Sequence, residues 1–455
     1  MSYRIEQDSM GEIQVPETAL WGAQTERSRQ NFNIGIEKKP AALIQALALV
    51  KKNAAKANEA TGKLDSTISQ AIQNAADKII NGTVNDQFPL SLWQTGSGTQ
   101  TNMNVNEVIA HLAADSGVTV HPNDHVNMSQ SSNDVFPTTI HVAAVQLIEQ
   151  YLFPVLKQMI QTLKKLETEN EKIIKIGRTH LQDATPVTFA QEISGWRSGL
   201  EHSYQMIELT LSELKQLALG GTAVGTGLNA SKEYIDLFFS SLNEETKNQF
   251  SEDPNKFHGL ASKDGIVFTS GALKALATNI MKMANDIRWM ASGPRSGLGE
   301  ITIPANEPGS SIMPGKINPT QCEALTMIAI QVMGNDTTIG IGASQGNFEL
   351  NVYMPVMAYN LIQSIELLTD GLRSFDQNCL IGIKADQEKM TQYVEQSLML
   401  VTALNPHIGY DKGAKIAKKA FIENTTLKQA ALTLGFVTEK EYDSWVKPEQ
   451  MLGNK

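Results

Sequence analysis

Residues 187–217 read VTFAQEISGWRSGLEHSYQMIELTLSELKQL. Ile193, Leu200, Ile207 and Leu214 recur every seven residues, and Trp196, Ser203, Thr210 and Leu217 fill the second seam position. An a/d repeat over about four heptads specifies a long straight helix whose seam packs against other helices. The same signal recurs along the chain. Residues 138–170 place Ile140, Ala144, Leu147, Ile148, Leu156, Met159, Leu163 and Leu166 at helical spacing, and Pro154 predicts a kink there rather than a stop. Long helices are also predicted over 263–290, 322–345 and 352–373, the last ending near Gly371. Shorter ones are predicted over 41–60 and 66–80, the second stopping at Asn81-Gly82. Long helices side by side make a bundle. One chain supplies about five of them, and their surplus apolar area points to a homo-oligomer.

Composition agrees with this. The chain has 455 residues, 41% hydrophobic and 19% charged, which excludes disordered, collagen-like and disulfide-scaffold classes. At that length two to four domains, or one unusually large core, are expected. Aromatics are only 6%, while the plentiful Ala, Leu, Ile and Met suit closely packed helices. A net charge of −10 disfavours nucleic acid and anionic membrane as partners. Cys322 and Cys379 cannot build a disulfide framework, and two free thiols in a reducing compartment are expected. The N-terminal residues resemble neither a secretory signal nor a transit peptide. No uninterrupted apolar run approaches the length of a membrane span, so none is expected and a cytoplasmic location is.

Residues 1–40, broken by Gly11, Pro16, Gly22, Gly35 and Pro40, read as loops and short elements, and 93–100 as a loop. From Ser292 to Lys316 the helical character stops, with Gly293, Pro294, Gly297, Gly299, Pro304, Pro308, Gly309, Pro314 and Gly315. A long aperiodic loop of stiff and hinged pieces suits a lid.

Chemistry-bearing residues fall in four polar clusters. They are Thr95–Gln100 with Asn102, Asn104 and Asn106; His121–Asp124 with Ser129–Asp134; Gly177–Gln182; and Gly309–Asn318, running on to Glu323. Hydroxyls, amides, backbone N–H groups and Lys316 could ring a small carboxylate. Each cluster alone is also an ordinary set of turns and caps. What sets them apart is that each flanks a predicted long helix. His180 and Glu323 offer a His–carboxylate pair, if the fold brings them together. His121 and His125 have a metal-ligand spacing, but Pro122 and the lack of a third ligand argue against a metal site. Dinucleotide-binding, phosphate-loop and nucleophile-elbow signatures are absent.

At these clusters the sequence resembles the class II fumarate hydratases of the fumarase/aspartase superfamily. The stretch GSSIMPGKINPTQCE from Gly309, with GRTHLQDATP (177–186), GGTAVGTGLN (220–229) and GNFELN (346–351), carries the resemblance. It covers essentially the whole chain. Aspartate ammonia-lyases are similar, but usually have Ala at the position of Gly315 and lack the Thr-Gln-Cys-Glu continuation. The resemblance implies a mainly α fold: a mixed N-terminal domain (1–131), a central domain of five long helices (132–388) and a small C-terminal helical domain (389–455). It also implies a homotetramer whose core is a bundle of twenty helices, with active sites composed from three chains.

The implied reaction is the reversible hydration of fumarate to L-malate, a step of the tricarboxylic acid cycle, by a hydro-lyase needing no metal or organic cofactor. Ser310 would be the base for the C3 proton of malate. His180 and Glu323 would act through a water on the departing hydroxyl. Ser97, Gly98, Thr99, Ser131, Ser132, Asn133, Thr179, Ser311, Lys316, Ile317 and Asn318 would hold the dicarboxylate. The resemblance also implies a second, non-catalytic anion site at His121, Pro122, Asn123 and Asp124. There the preceding segment, Gly117–Val120, is short and lacks the Arg that some members carry. The alternatives are an aspartate ammonia-lyase and a non-catalytic structural protein on the same scaffold.

Overall fold

The computed structural model describes residues 2–453. Along the chain it runs β1 (Tyr3–Asp8), β2 (Gly11–Pro16), α1 (Ala23–Asn31), α2 (Ala41–Ala60), α3 (Ser66–Ile80), α4 (Thr99–Ala114), α5 (Ser132–Leu147) and α6 (Phe153–Glu169). Then come β3 (Ile174–Thr179), β4 (Gln182–Thr188), α7 (Phe189–Leu214), β5 (Gln216–Leu217), α8 (Lys232–Thr246), β6 (Ser251–Glu252), α9 (Lys256–Ala261) and α10 (Asp264–Met290). The remainder is β7 (Ile301–Thr302), α11 (Thr320–Ala343), α12 (Met354–Asn378), β8 (Lys384–Ala385) and α13 (Gln387–Gln396), followed by four short helices to Trp445. The mainly α expectation holds. Strands occur only in two-stranded pairs among the described residues.

The heptad seam of α7 is buried throughout: Ile193, Trp196, Leu200, Ser203, Ile207, Thr210 and Leu214. Leu217 is buried as well, but lies beyond the helix in β5. Each fully buried Leu or Ile contributes about 1.5–3 kcal/mol, so the seam alone accounts for a large share of the helix's stability. Helices α2 and α3 have the predicted bounds. Asp65 caps α3 by accepting from the Thr67 and Ile68 N–H groups, and Gly82 takes the left-handed conformation just past its end.

Other expectations are corrected. Residues 1–40 hold an antiparallel hairpin, β1–β2, and a helix. As expected, Pro154 does not stop the helix, though the bounds are not 138–170. The helix starts earlier, at Ser132, and a π-helical turn over Ile148–Leu152 precedes Phe153 and Pro154. Such a turn shifts the hydrogen-bond register just ahead of the proline, so the donor that proline lacks does not break the helix. Helix α12 runs through Gly371 to Asn378. The combined helix 132–169 is long and apolar enough to cross a membrane by length and composition, although no such segment was expected. Yet 56% of its apolar window is buried inside the chain, as in a core helix.

The chain forms two compact units, each drawn from several segments. One comprises residues 1–154, 203–277 and 328–369, and the other 155–202, 278–327 and 370–455. In the first, α2 packs on α3, α5 and α8, and α4 packs on α1, α3 and α5. Asn351, fully buried, donates to the Gly342 and Ala343 carbonyls at the end of α11. In the second, the hairpin β3–β4 packs on α13, and Val394 to Tyr442 supply a core of their own around Leu404, Ile416 and Ala431. Cys322 and Cys379 are buried free thiols beside one another in this unit, and that contact with burial pushes the Cys379 thiol up.

Candidate active site

In the first unit, two of the sequence clusters form one polar surface. The Gly96 carbonyl accepts the Met354 N–H at 3.1 Å, tying the loop to the start of α12. Gly98 then takes a left-handed φ of 76° as the N-cap of α4, and a Cβ on it would lie 2.4 Å from the Phe136 ring. Only glycine satisfies both demands. The result turns Ser97 Oγ to within 2.8 Å of Thr99 Oγ1 at the N-terminus of α4.

Ser131 caps α5. Its Oγ accepts the Asn133 N–H, and Asp134 Oδ1 accepts the Ser131 N–H at 2.9 Å, a capping box. Asp134 Oδ2 takes the Gly220 and Thr222 N–H groups, and Asn133 Nδ2 donates to the Ala223 carbonyl at 2.8 Å. The glycine-rich 220–229 stretch is thereby fastened beside the N-terminus of α5. Burial pushes the Asp134 carboxyl up, against the pull of these N–H donors. Asn102 Nδ2 donates to Ser132 Oγ at 3.0 Å, which links the two clusters.

In the second unit, Thr179 and His180 sit at the tip of the β3–β4 hairpin, both exposed. His180 and Leu181 have φ of 57° and 62°. A two-residue turn with both φ positive favours Asn-Gly, so His-Leu there is backbone strain at a candidate catalytic position. The hairpin is anchored from below. Arg178 pairs with the wholly buried Glu300 at 2.8 Å, and Lys175 reaches Glu192 at 2.7 Å and Glu300 at 3.6 Å.

The Gly309–Asn318 stretch closes on itself. The Gly309 N–H donates to the Lys316 carbonyl at 3.0 Å, and Asn318 Nδ2 donates to the Gly309 carbonyl at 2.5 Å. A Cβ on Gly309 would lie 2.2 Å from the Lys316 carbonyl oxygen, so only glycine fits. Within the ring, Ser310 Oγ accepts the Ile312 N–H at 3.3 Å and the Met313 N–H at 3.1 Å. Ser311, Lys316 and Ile317 are exposed. Glu323 is exposed in the first turn of α11 and forms no hydrogen bond with His180 within this single chain.

His121, Pro122, Asn123 and Asp124 begin a π-helical turn, with His121 Nδ1 accepting the Asp124 N–H at 3.0 Å. His121, Pro122 and Asn123 line a cleft of about 680 Å³ that also holds His111 and the carboxylates Glu6, Asp8 and Glu107. Among the described residues no group of three His, Cys, Asp or Glu side chains is placed to hold a metal ion. Sequence reasoning missed Lys51, whose ammonium reaches Asn127 and Gln130 just before the α5 cap. Burial pulls it down to about 7, with Asp134 opposing. Its inward position was findable, because Leu47, Ala48, Ala54 and Ala55 share that helix face.

Over its full length this chain is 57% identical to the class II fumarate hydratase of Bacillus cereus, each chain being wholly covered. The chain belongs to the class II fumarate hydratase family. A lyase family model matches residues 11–334, and a model of the fumarase C C-terminus matches residues 400–453. The class II fumarate hydratase of Bacillus subtilis is 55% identical, again with full coverage. The crystal structure of a class II fumarase from Schistosoma mansoni superposes with a TM-score of 0.97 at 43% identity, covering 99% of each chain. The resemblance read from the GSSIMPGKINPTQCE stretch, and the α architecture it implied, are borne out.

Proposed function

We propose that this hydro-lyase catalyses the reversible anti addition of water to fumarate, giving L-malate. The observation that carries the reading is full-length identity above half with fumarate hydratases. The chemical difficulty is the C3 proton of malate, whose removal leaves a carbanion delocalised into the neighbouring carboxylate. Donors around that carboxylate must stabilise the developing charge. In this reading they are Ser97, Gly98, Thr99, Ser131, Ser132, Asn133, Thr179, Ser311, Lys316, Ile317 and Asn318.

Ser310 is the proposed base. A serine hydroxyl is too weak a base unaided. Support comes from the two N–H groups already directed at its Oγ. Each is worth about 1.5–3 kcal/mol to an oxyanion, and Lys316 with a water-poor closed site would add to this. His180, backed by Glu323, would protonate the departing hydroxyl through a water on the other face. Both stand exposed on the single chain. This fits a homotetramer whose sites are completed by other subunits. In this reading the chain's own side chains and backbone N–H groups move the protons and the hydroxyl, with no metal or organic cofactor. The buried free thiols favour a reducing, cytoplasmic setting.

The test is turnover of L-malate and of L-aspartate, offered separately and followed by fumarate absorbance. Malate alone should react. Aspartate alone would make the chain an ammonia-lyase, and neither, from a folded protein, a structural one.

A further inference from the structure

Lys51 lies in the middle of α2 with its side chain wholly inside the chain. Amides hold its ammonium: Nζ donates to Asn127 Oδ1 at 2.9 Å and to Gln130 Oε1 at 3.0 Å, while Asp134 acts on it through space. As ammonium or as amine, Nζ has N–H groups enough to make both contacts as the donor. The Asn127 atom facing it must therefore be the carbonyl oxygen. That same oxygen receives Asn102 Nδ2 at 3.1 Å and Asn106 Nδ2 at 3.3 Å. Lys51 thus decides, at one remove, which end of the Asn102 amide faces inward.

With its nitrogen so committed, Asn102 gives its other hydrogen to Ser132 Oγ at 3.0 Å. Its own Oδ1, like that of Asn106, is buried without a partner. The orientation is imposed against that loss. Ser132 Oγ, already accepting from Asn102, keeps its O–H to donate outward.

We propose that Lys51 is a positioning residue for substrate binding: through Asn127 and Asn102 it holds Ser132 as a hydrogen-bond donor toward a carboxylate of the dicarboxylate substrate. This rests on the reading of Ser132 as a substrate-binding residue.

The test is a double-mutant cycle on the full-length enzyme with L-malate, using Lys51→Met, Ser132→Ala and the pair. Each single variant should raise KM about tenfold. The pair should match Ser132→Ala alone, because the relay then has nothing to orient. A general packing role for Lys51 would not give that non-additivity. Additive KM effects, or a Lys51→Met enzyme with the parent KM, would overturn the proposal. Failure of the underlying reading looks different: Ser132→Ala itself would leave KM unchanged. Should Lys51→Met not fold, Asn102→Leu takes its place in the cycle, with non-additivity expected and additivity again overturning the relay.

Discussion

Ser310 holds its Oγ against two backbone N–H groups in a ring closed by Gly309 and Lys316. Removing a general base costs about 10²–10⁴ in rate. Ser310→Ala should therefore lower kcat for malate by about that factor while leaving the melting temperature near the parent's, since the side chain packs little. Turnover within tenfold of the parent would remove Ser310 from the role of base. His180→Asn should lower kcat and displace one limb of the pH–rate profile; a profile of unchanged shape would end its acid–base assignment. At this scale the sequence exposes side chains whose types already speak of carboxylate binding, in short clusters. It does not expose Glu300, Lys51 or the pairing of Arg178, because each is defined by partners distant in the chain. Glu300 meets Arg178 across more than a hundred residues, and nothing local to either marks the pair.

Helix α5 shows what an element does for the site. Its Ser131–Asp134 end carries candidate ligands, and His141, two turns on, donates Nδ1–H to the Leu214 and Gln216 carbonyls at 3.0 and 3.1 Å. Burial, with Lys263 adding, pushes His141 down to about 4. The folded state thus holds it neutral, whereas the unfolded chain protonates near pH 6.5. Its contribution is fully present above pH 6.5 and is lost as pH falls toward 4, by about 3 kcal/mol. Urea midpoints across that range should fall more steeply for the parent than for His141→Asn; equal slopes would mean that the buried imidazole is not the acid-labile group. Apolar periodicity made α2, α3, α7 and α10 legible. It missed α4, whose first half buries Thr101, Asn102, Asn104 and Asn106 beside Met103 and Val105, ahead of the aliphatic Val108, Ile109 and Leu112. Buried amides that bond to one another leave no apolar stripe to read. The π-turn before Pro154 was hidden for another reason, since it is a choice of hydrogen-bond partner that residue type alone does not dictate.

For the whole molecule, the long helices leave apolar residues in the open. Leu209 on α7 is 68% exposed, and Met327, Ile330 and Ile341 on α11 are 64%, 61% and 61% exposed. Exposed apolar surface along such helices is what association covers. If the proposed homotetramer is built on these helices, Ile330→Glu combined with Ile341→Glu should give smaller species than the parent in sedimentation velocity, with turnover lost alongside. A fully active tetramer would refute the twenty-helix arrangement. The net charge of −10 is no obstacle to binding a dianion, because recognition depends on the few donors that face the ligand rather than on the summed charge.

The long aperiodic loop is less free than its composition suggests. Gly299 N–H bonds to the Ser292 carbonyl, Glu300 N–H to Met290 and Asp386 N–H to Glu300, and β7 pairs with β8. Its first third is pinned. Its last third, the Gly309–Asn318 ring, is braced internally. Between them lie residues 303–308, a short tether held by Asn306 Nδ2 donating to the Asn378 carbonyl at 2.8 Å, a bond that bending has to break. Closure over a ligand would swing the ring as a rigid body, carrying Ser310 and Lys316 together. Stopped-flow fluorescence from a reporter on the ring should then show one relaxation, not separate ones for base and cation.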